Sequence, residues 1–227
     1  MTASFKPRSE ILPFAQKRLW PSLGFTRENG FVLYGGTAVA LRCGHRISVD
    51  FDFFSDRPLD KTLIYTHLPL NNNAVVLQEE PHTLTLLMDS GQPGENDVKV
   101  SFFGKIGIGR VSDPDITDDG ILEVASMDDL MATKLKVILQ RIEAKDYRDI
   151  AALINAGASL SKGLAAARLM YGQQFQPMES LKALTHFKGG DLETLSQKAE
   201  EILIRAAGKV RTLPEIQIIS QSLALSE

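Results

Sequence analysis

The residues able to do chemistry gather in one stretch, Tyr34-Gly35-Gly36-Thr37-Ala38 followed by Ser48-Val49-Asp50-Phe51-Asp52-Phe53-Phe54. The apolar run Phe31–Tyr34 reads as a short buried strand that two glycines interrupt, and Thr37–Arg42 then reads as a short helix closed by Gly44. Glycines between a strand and a helix let backbone N–H groups and the helix N-terminus approach a phosphate, and Thr37 adds a hydroxyl. Thirteen residues separate Gly36 from Asp50. Along a second strand, Val49–Phe54, the side chains alternate, so Asp50 and Asp52 share one face while Phe51 and Phe53 point to the core. Two adjacent carboxylates repel unless a cation sits between them, and Mg²⁺ suits such oxygen ligands and bridges them to substrate phosphates. A phosphate cradle beside an acid pair describes phosphoryl or nucleotidyl transfer. Either half alone reads equally as a tight turn or as solubilising acids; their joint occurrence, in this order, is what points to chemistry.

The elements that must hold these residues follow from the rest of the pattern. Ser9–Leu23 has the spacing of a first helix, with Ile11, Leu12, Ala15 and Leu19 on one face. Asp60–Leu68 reads as a helix opened by a capping aspartate. Ala74–Gln78, Thr83–Met88 and Val98–Phe103 read as strands, the last two joined by a turn over Asp89–Asn96, and Ile121–Val124 as one more. From there the spacing is helical: Met127–Gln140, Asp146–Ala156, Leu160–Tyr171, Pro177–Thr185 and Leu192–Ala207, punctuated by Gly157, Gly172 and Gly189-Gly190. The residues after Pro214 read as a short helix or a tail. The expectation is an α+β domain over residues 1–125, a mixed sheet with flanking helices, followed by an α-helical bundle over residues 126–227.

The joint motif resembles the nucleotidyltransferase superfamily signature of Gly-Gly/Ser, a short spacer and Asp-x-Asp. More narrowly, Gly35-Gly36-Thr37-Ala38-Val39-Ala40-Leu41-Arg42, His45-Arg46 and Ser48–Phe54 resemble the AbiEii-type family, which includes toxins of abortive-infection, or type IV toxin–antitoxin, systems. Ala132-Thr133-Lys134-Leu135-Lys136 and Arg141–Ile150 resemble that family's later segments, so the likeness spans roughly residues 30–155. The resemblance implies a polymerase-β-like nucleotidyltransferase fold. Asp50 and Asp52 would hold Mg²⁺ that clamps a nucleoside triphosphate, and Gly35, Gly36 and Thr37 would contact its phosphates. Lys134 would lie near the triphosphate. It also implies RNA, tRNA included, or a protein side chain as acceptor, and a cognate antitoxin as partner.

Nucleotidyltransferases usually carry a third carboxylate on a later strand. Here the position expected to hold it, in Val98–Phe103, holds Ser101, which shares a face with Asp97 and Lys99. Three explanations stay open: Asp97 or Asp89 substitutes, Asp146 or Asp149 completes the site, or the chain binds nucleotide with little turnover. On one uninterrupted helix, at about 100° per residue, Arg141, Lys145 and Arg148 would lie within about 40° of Lys134, with Asp149 about 60° and Asp146 about 120° away. That stripe could serve a triphosphate or an RNA backbone. It could equally be a solvated face with local ion pairs, or Asp146 could open a new helix. Arg46, four residues before Asp50, could reach a phosphate or pair on the surface, and Ser48 could orient Asp50.

Composition narrows the alternatives. The chain has 227 residues with 44% hydrophobic and 23% charged, enough apolar material for one domain or two small ones. Residues 1–125 carry 12 Lys/Arg against 16 Asp/Glu, a balance of −4, and residues 126–227 carry 13 against 12, a balance of +1. Neither half is basic enough to bind nucleic acid by bulk charge. No apolar run reaches the roughly 18–20 residues of a membrane span, and the N-terminal residues lack a signal-peptide pattern. The lone Cys43 excludes an internal disulfide and a multi-cysteine zinc site, and suits a reducing, cytoplasmic setting. A phosphatase reading of Asp50-x-Asp52 fails on Phe54 and on Arg46-Ile47-Ser48 before it, and a dinucleotide-binding reading fails because Gly-x-Gly-x-x-Gly is absent.

Overall fold

Alternation along the central strand decides how the fold is built around it. Phe51 and Phe53 are wholly buried, while Asp50, Asp52 and Phe54 occupy the half-exposed face. The computed structural model describes residues 3–68, 74–92 and 95–225, so the expected turn over Asp89–Asn96 lies partly outside the described residues. The chain forms two units. The first comprises Met1–Gly109, Asp113–Ala125 and Ser220–Glu227, and the second Arg110–Ser112 and Ser126–Ile219.

The first unit contains a mixed sheet. Its strands are β1 (Ser4–Phe5), β2 (Val32–Tyr34), β3 (Asp50–Phe54), β4 (Val75–Glu80), β5 (Thr83–Met88), β6 (Val98–Phe103), β7 (Asp115–Thr117) and β8 (Glu123–Val124). Their order is β1-β7-β8-β2-β3-β6-β5-β4. β2 runs antiparallel to β3, with Tyr34 opposite Asp52, and β6 runs parallel to β3 on its other side, with Lys99 opposite Asp50 and Ser101 opposite Asp52. Beneath this register the Phe53 ring stacks on Phe102 at 5.3 Å and on Phe51 at 6.2 Å, and Phe31 meets Phe102 edge-on at 5.4 Å. This aromatic layer fixes which way β3 faces, because a one-residue slip would bury the carboxylates.

Helices α1 (Phe14–Leu19), α2 (Phe25–Glu28), α3 (Gly35–Cys43) and α4 (Lys61–His67) flank the sheet. The single helix expected over Ser9–Leu23 is instead α1 between two 3₁₀ turns, Ser9–Ile11 and Trp20–Gly24, because Pro13 and Pro21 cannot donate within a helix. Asp60 does cap α4, accepting the Leu63 N–H. α3 is tied down at its far end by Arg42, whose guanidinium donates to the carbonyls of Val124 and Ala125, pairs with Asp115 at 2.8 Å and covers the Phe5 ring.

The cut expected at residue 125 misses a return of the chain. Leu223 and Ala224 are buried in the first unit. Asp56, two residues beyond β3, accepts hydrogen bonds from the Ser222 hydroxyl and the Leu223 N–H, and Glu123 of β8 accepts one from the Leu225 N–H. No helix follows Lys209 among the described residues. Asp56→Ala leaves those donors without their acceptor, and a lost buried acceptor costs about 1–3 kcal/mol. Thermal melts should show the variant several degrees less stable; an unchanged midpoint would mean that the tail adds nothing.

The second unit is helical: α5 (Met127–Val137), α6 (Ala144–Asn155), α7 (Leu160–Tyr171), α8 (Pro177–Ala183) and α9 (Gln197–Lys209). Gly163 lets α7 lie against α5, since a Cβ there would fall 2.1 Å from Met131 Cγ. The one-helix geometry considered for Lys134 to Asp149 does not form. The chain leaves α5 at Val137, and α6 begins at Ala144, whose N–H is accepted by Asp191 from a distant loop. Arg148, once placed on a common stripe with Lys134, bonds to Thr194.

At the start of α5, Ser126 caps the Asp129 N–H, and Asp129 accepts the Val111 N–H. Ser112 donates to Asp128, which also pairs with Lys162 at 2.6 Å. Burial pushes the Asp129 carboxyl up to about 7. The folded state therefore holds this proton more tightly than the unfolded chain does. Its contribution to stability is full below the ordinary carboxylate range and is lost as pH rises from about 4 to about 7. Asp129→Asn should remove that descending limb, read from melting temperatures between pH 5 and 8; identical slopes for the two proteins would refute the assignment. No helix among the described residues is long and apolar enough to cross a membrane.

Candidate active site

In the first unit the register brings together the residues singled out between Gly35 and Asp52. β2 ends at Tyr34 directly opposite Asp52, so the chain must turn into α3 over the Asp52 side chain. Gly35 makes that turn at φ +73°, and a Cβ there would fall 2.4 Å from Asp52 Oδ2. A Cβ on Gly36 would fall 2.4 Å from Arg46 Nη2 and 3.2 Å from Ser48 Oγ. The two glycines thus let the backbone lie against a carboxylate on one side and a guanidinium on the other. Arg46 also donates to the Ile47 carbonyl at 3.0 Å.

Thr37 is buried, and its hydroxyl lies 2.9 Å from Ser48 Oγ and hydrogen-bonds the Asp50 carbonyl. This links the first turn of α3 to the start of β3, so Thr37 and Ser48 fix the strand that carries the acids. Asp50 and Asp52 emerge on the same face. Asp50 Oδ2 pairs with Lys99 Nζ at 3.0 Å. Ser101 sits beside Asp52 and is within 3.4 Å of the Thr85 hydroxyl on β5. Asp97 accepts the Ser90 N–H and Asp89 accepts the Gly91 N–H, so both stabilise the β5–β6 connection.

Gly35→Ala should damage this arrangement more than Gly36→Ala. At Gly35 the left-handed backbone costs an L-residue about 1–2 kcal/mol and the Cβ displaces a carboxylate. At Gly36 the end of a flexible arginine has to move and the Ser48 hydroxyl has to give by a few tenths of an ångström. The expected order, in thermal melts and in nucleotide binding, is wild type, Gly36→Ala, Gly35→Ala; the reverse order would count against the packing described.

Lys134, Arg141, Asp146 and Asp149 come together in the second unit. Lys134 Nζ lies 2.7 Å from Asp146 Oδ1 and 2.6 Å from Asp149 Oδ2, and both carboxylates are fully buried. Arg141 Nε donates to Asp146 Oδ2 at 2.8 Å, and its Nη2 to Oδ1 at 3.2 Å. Burial opposes the charge on Asp146, but the Arg141 hydrogen bonds and the Lys134 ammonium outweigh it and hold the carboxyl below its usual range. The expectation that Asp146 opens the helix is corrected: it lies in the first turn of α6, with Glu143 at the N-cap. The four charges form a neutral network that joins α5 to α6.

Neighbours across β3 and β6 were the part of the site that local spacing did not reveal. Lys99 is such a neighbour, and only its alternation with Ser101 hinted at its face. The donors that remain for a cation are hard oxygens, the two carboxylates on one face. That set fits Mg²⁺, which takes few protein carboxylates and completes its shell with water and phosphate oxygens. Among the described residues no group of three or more His, Cys, Asp or Glu is arranged to hold a metal ion.

The mixed sheet with its helices is similar in fold to a nucleotidyltransferase toxin. The chain superposes on MenT4, a nucleotidyltransferase toxin of Mycobacterium tuberculosis H37Rv, with a TM-score of 0.60, 15% identity and coverage of 87% of this chain and 82% of that one. It superposes on a candidate nucleotidyltransferase from H. pylori with a TM-score of 0.58, 16% identity and coverage of 85% and 91%. Residues 25–207 match the profile of the nucleotidyl transferase AbiEii toxin family, type IV toxin–antitoxin system. The chain belongs to that family. An uncharacterized protein of Aquifex aeolicus (strain VF5) is 32% identical over 124 residues, which span 54% of this chain and 56% of that protein.

Proposed function

We infer that this protein is a Mg²⁺-dependent nucleotidyltransferase that moves a nucleoside monophosphate from a nucleoside triphosphate to an acceptor hydroxyl, releasing pyrophosphate and a proton, and that it acts as the toxin of a type IV system. The observation that carries the reading is the contact of the Gly35 backbone with the Asp52 carboxylate, beside Asp50 on the same strand face. Asp50 and Asp52 hold the metal, which when bound neutralises phosphate charge. Gly35, Gly36 and Arg46 receive the triphosphate, and Thr37 and Ser48 keep the acid-bearing strand in place. Lys134, Asp149, Asp146 and Arg141 act in this reading as a positioning network for α5 and α6. Membership of a type IV toxin–antitoxin family supports a cognate antitoxin as partner; the acceptor in this reading is RNA, tRNA included, or a protein side chain, and the setting the cytoplasm.

A second reading, a nucleotide-binding regulator with little chemistry, is favoured by Ser101 standing opposite Asp52 where another carboxylate would complete the site. The two readings separate on incubation with Mg²⁺, each α-labelled nucleoside triphosphate in turn, total cellular RNA and cell protein. Label entering either acceptor supports the transferase and names its nucleotide. Nucleotide binding by calorimetry with no label in RNA or protein overturns the transferase in favour of the binding protein.

A further inference from the structure

We propose that Lys99 serves as the second cation of the Asp50–Asp52 site, so that the protein binds one divalent ion there rather than two. The inference rests on the metal-binding reading given above and deepens it. β3 and β6 lie side by side and parallel, with Asp50 paired to Lys99 and Asp52 paired to Ser101. The strand spacing of about 4.8 Å puts these two positions of β6 within reach of the acids. One holds an ammonium, 3.0 Å from Asp50 Oδ2, and the other holds a neutral hydroxyl.

Charge makes the consequence definite. Three carboxylates with two divalent ions carry a net charge of about +1 before the nucleotide arrives, the arrangement of a two-metal site. Asp50, Asp52 and Lys99 with a single divalent ion carry the same net charge. A serine where the third acid would stand and a lysine beside it thus together change the face by the charge of one such ion. A second ion would have to sit against an ammonium and a serine, which is a poor ligand for Mg²⁺. The Lys99 and Asp50 side chains are 39% and 34% exposed. Nζ is therefore free to turn from the carboxylate toward a phosphate as the nucleotide enters, a movement a lysine makes readily because its charge sits on a four-carbon stem.

The test counts Mn²⁺ bound to the whole protein by electron paramagnetic resonance and measures, by calorimetry, the affinity for the α,β-methylene analogue of each nucleoside triphosphate. Wild type should bind one Mn²⁺ per chain, lost in Asp52→Asn. Lys99→Ala should bind Mn²⁺ about tenfold more tightly, the effect of removing one positive charge a few ångströms from a divalent ion at the dielectric of water. The same variant should bind the nucleotide analogue about tenfold more weakly. Lys99→Arg should stay close to wild type in both. Opposite shifts for metal and nucleotide are not what a mere loss of folding would give. Two Mn²⁺ per wild-type chain, or unchanged affinities in Lys99→Ala, would overturn the inference and leave the metal-binding reading intact. Absence of any Asp52-dependent Mn²⁺ would overturn that reading itself.

Discussion

Replacing Asp50 and Asp52 together by alanine is expected to cut nucleotide transfer by about a thousandfold or more while the melting temperature stays within a few degrees. Metal polarisation of a phosphoryl group contributes several kcal/mol to the barrier, and each 1.4 kcal/mol is about tenfold in rate. Stability should hardly follow, because the acids lie on the half-exposed face of β3 and not in the aromatic layer beneath it. The ion pair of Asp50 with Lys99 is solvent-accessible, and such pairs contribute about 0–1 kcal/mol. Removing two neighbouring like charges works in the stabilising direction. The measurement is label transfer beside a thermal melt. Full transfer by the double variant would sink the proposed function; a collapsed melt would show that the acids hold the strand in place.

The opposite profile is expected for Lys134→Met. Its ammonium is the common partner of two fully buried carboxylates, so its removal leaves their charge undercompensated, with Arg141 reaching Asp146 from a half-exposed position. Breaking a buried ion pair from one side costs about 3–5 kcal/mol, a large part of the 5–15 kcal/mol that holds a typical domain folded. The melting point should fall by roughly 10 °C at about 2–4 °C per kcal/mol for a chain of this size. Replacing the three buried members of the network, Lys134→Met with Asp146→Asn and Asp149→Asn, should recover most of the loss, since no buried carboxylate is then left without its cation and Arg141 is half-exposed. Were Lys134→Met to melt like the wild type while transfer disappeared, the lysine would belong to the chemistry and not to the helix junction.

These two expectations mark how far the sequence could be read. Asp50 and Asp52 were legible because a strand's two-residue period is local, and Phe51 and Phe53 state which face is inward. The paired glycines were legible for the same reason, although the collision that makes Gly35 necessary depends on Tyr34 lying opposite Asp52, a pairing across strands. The stripe joining Lys134 to Arg141 and Arg148 required one uninterrupted helix, whereas the spacing also read as two, Met127–Gln140 and Asp146–Ala156. The contact that meets the start of the second helix is not local: Asp191, 47 positions away, accepts the Ala144 N–H. Lys99 went unremarked as a site residue because its partner lies on a parallel strand, and parallel register is set by everything between the two strands. β1 and β7, two and three residues long, are too short to show a period at all.

The return of the chain to Asp56 and Glu123 also bears on how the protein is made. Asp56 follows the strand that carries the acids and Glu123 lies on the neighbour of the strand that leads into the paired glycines, and their partners Ser222, Leu223 and Leu225 are synthesised after every helix of the second unit. A chain still on the ribosome holds the glycine turn and both aspartates long before the segment that clasps their sheet has emerged. The first unit is therefore closed only after the second has been translated, and a message cut short anywhere before residue 222 yields a product without that clasp.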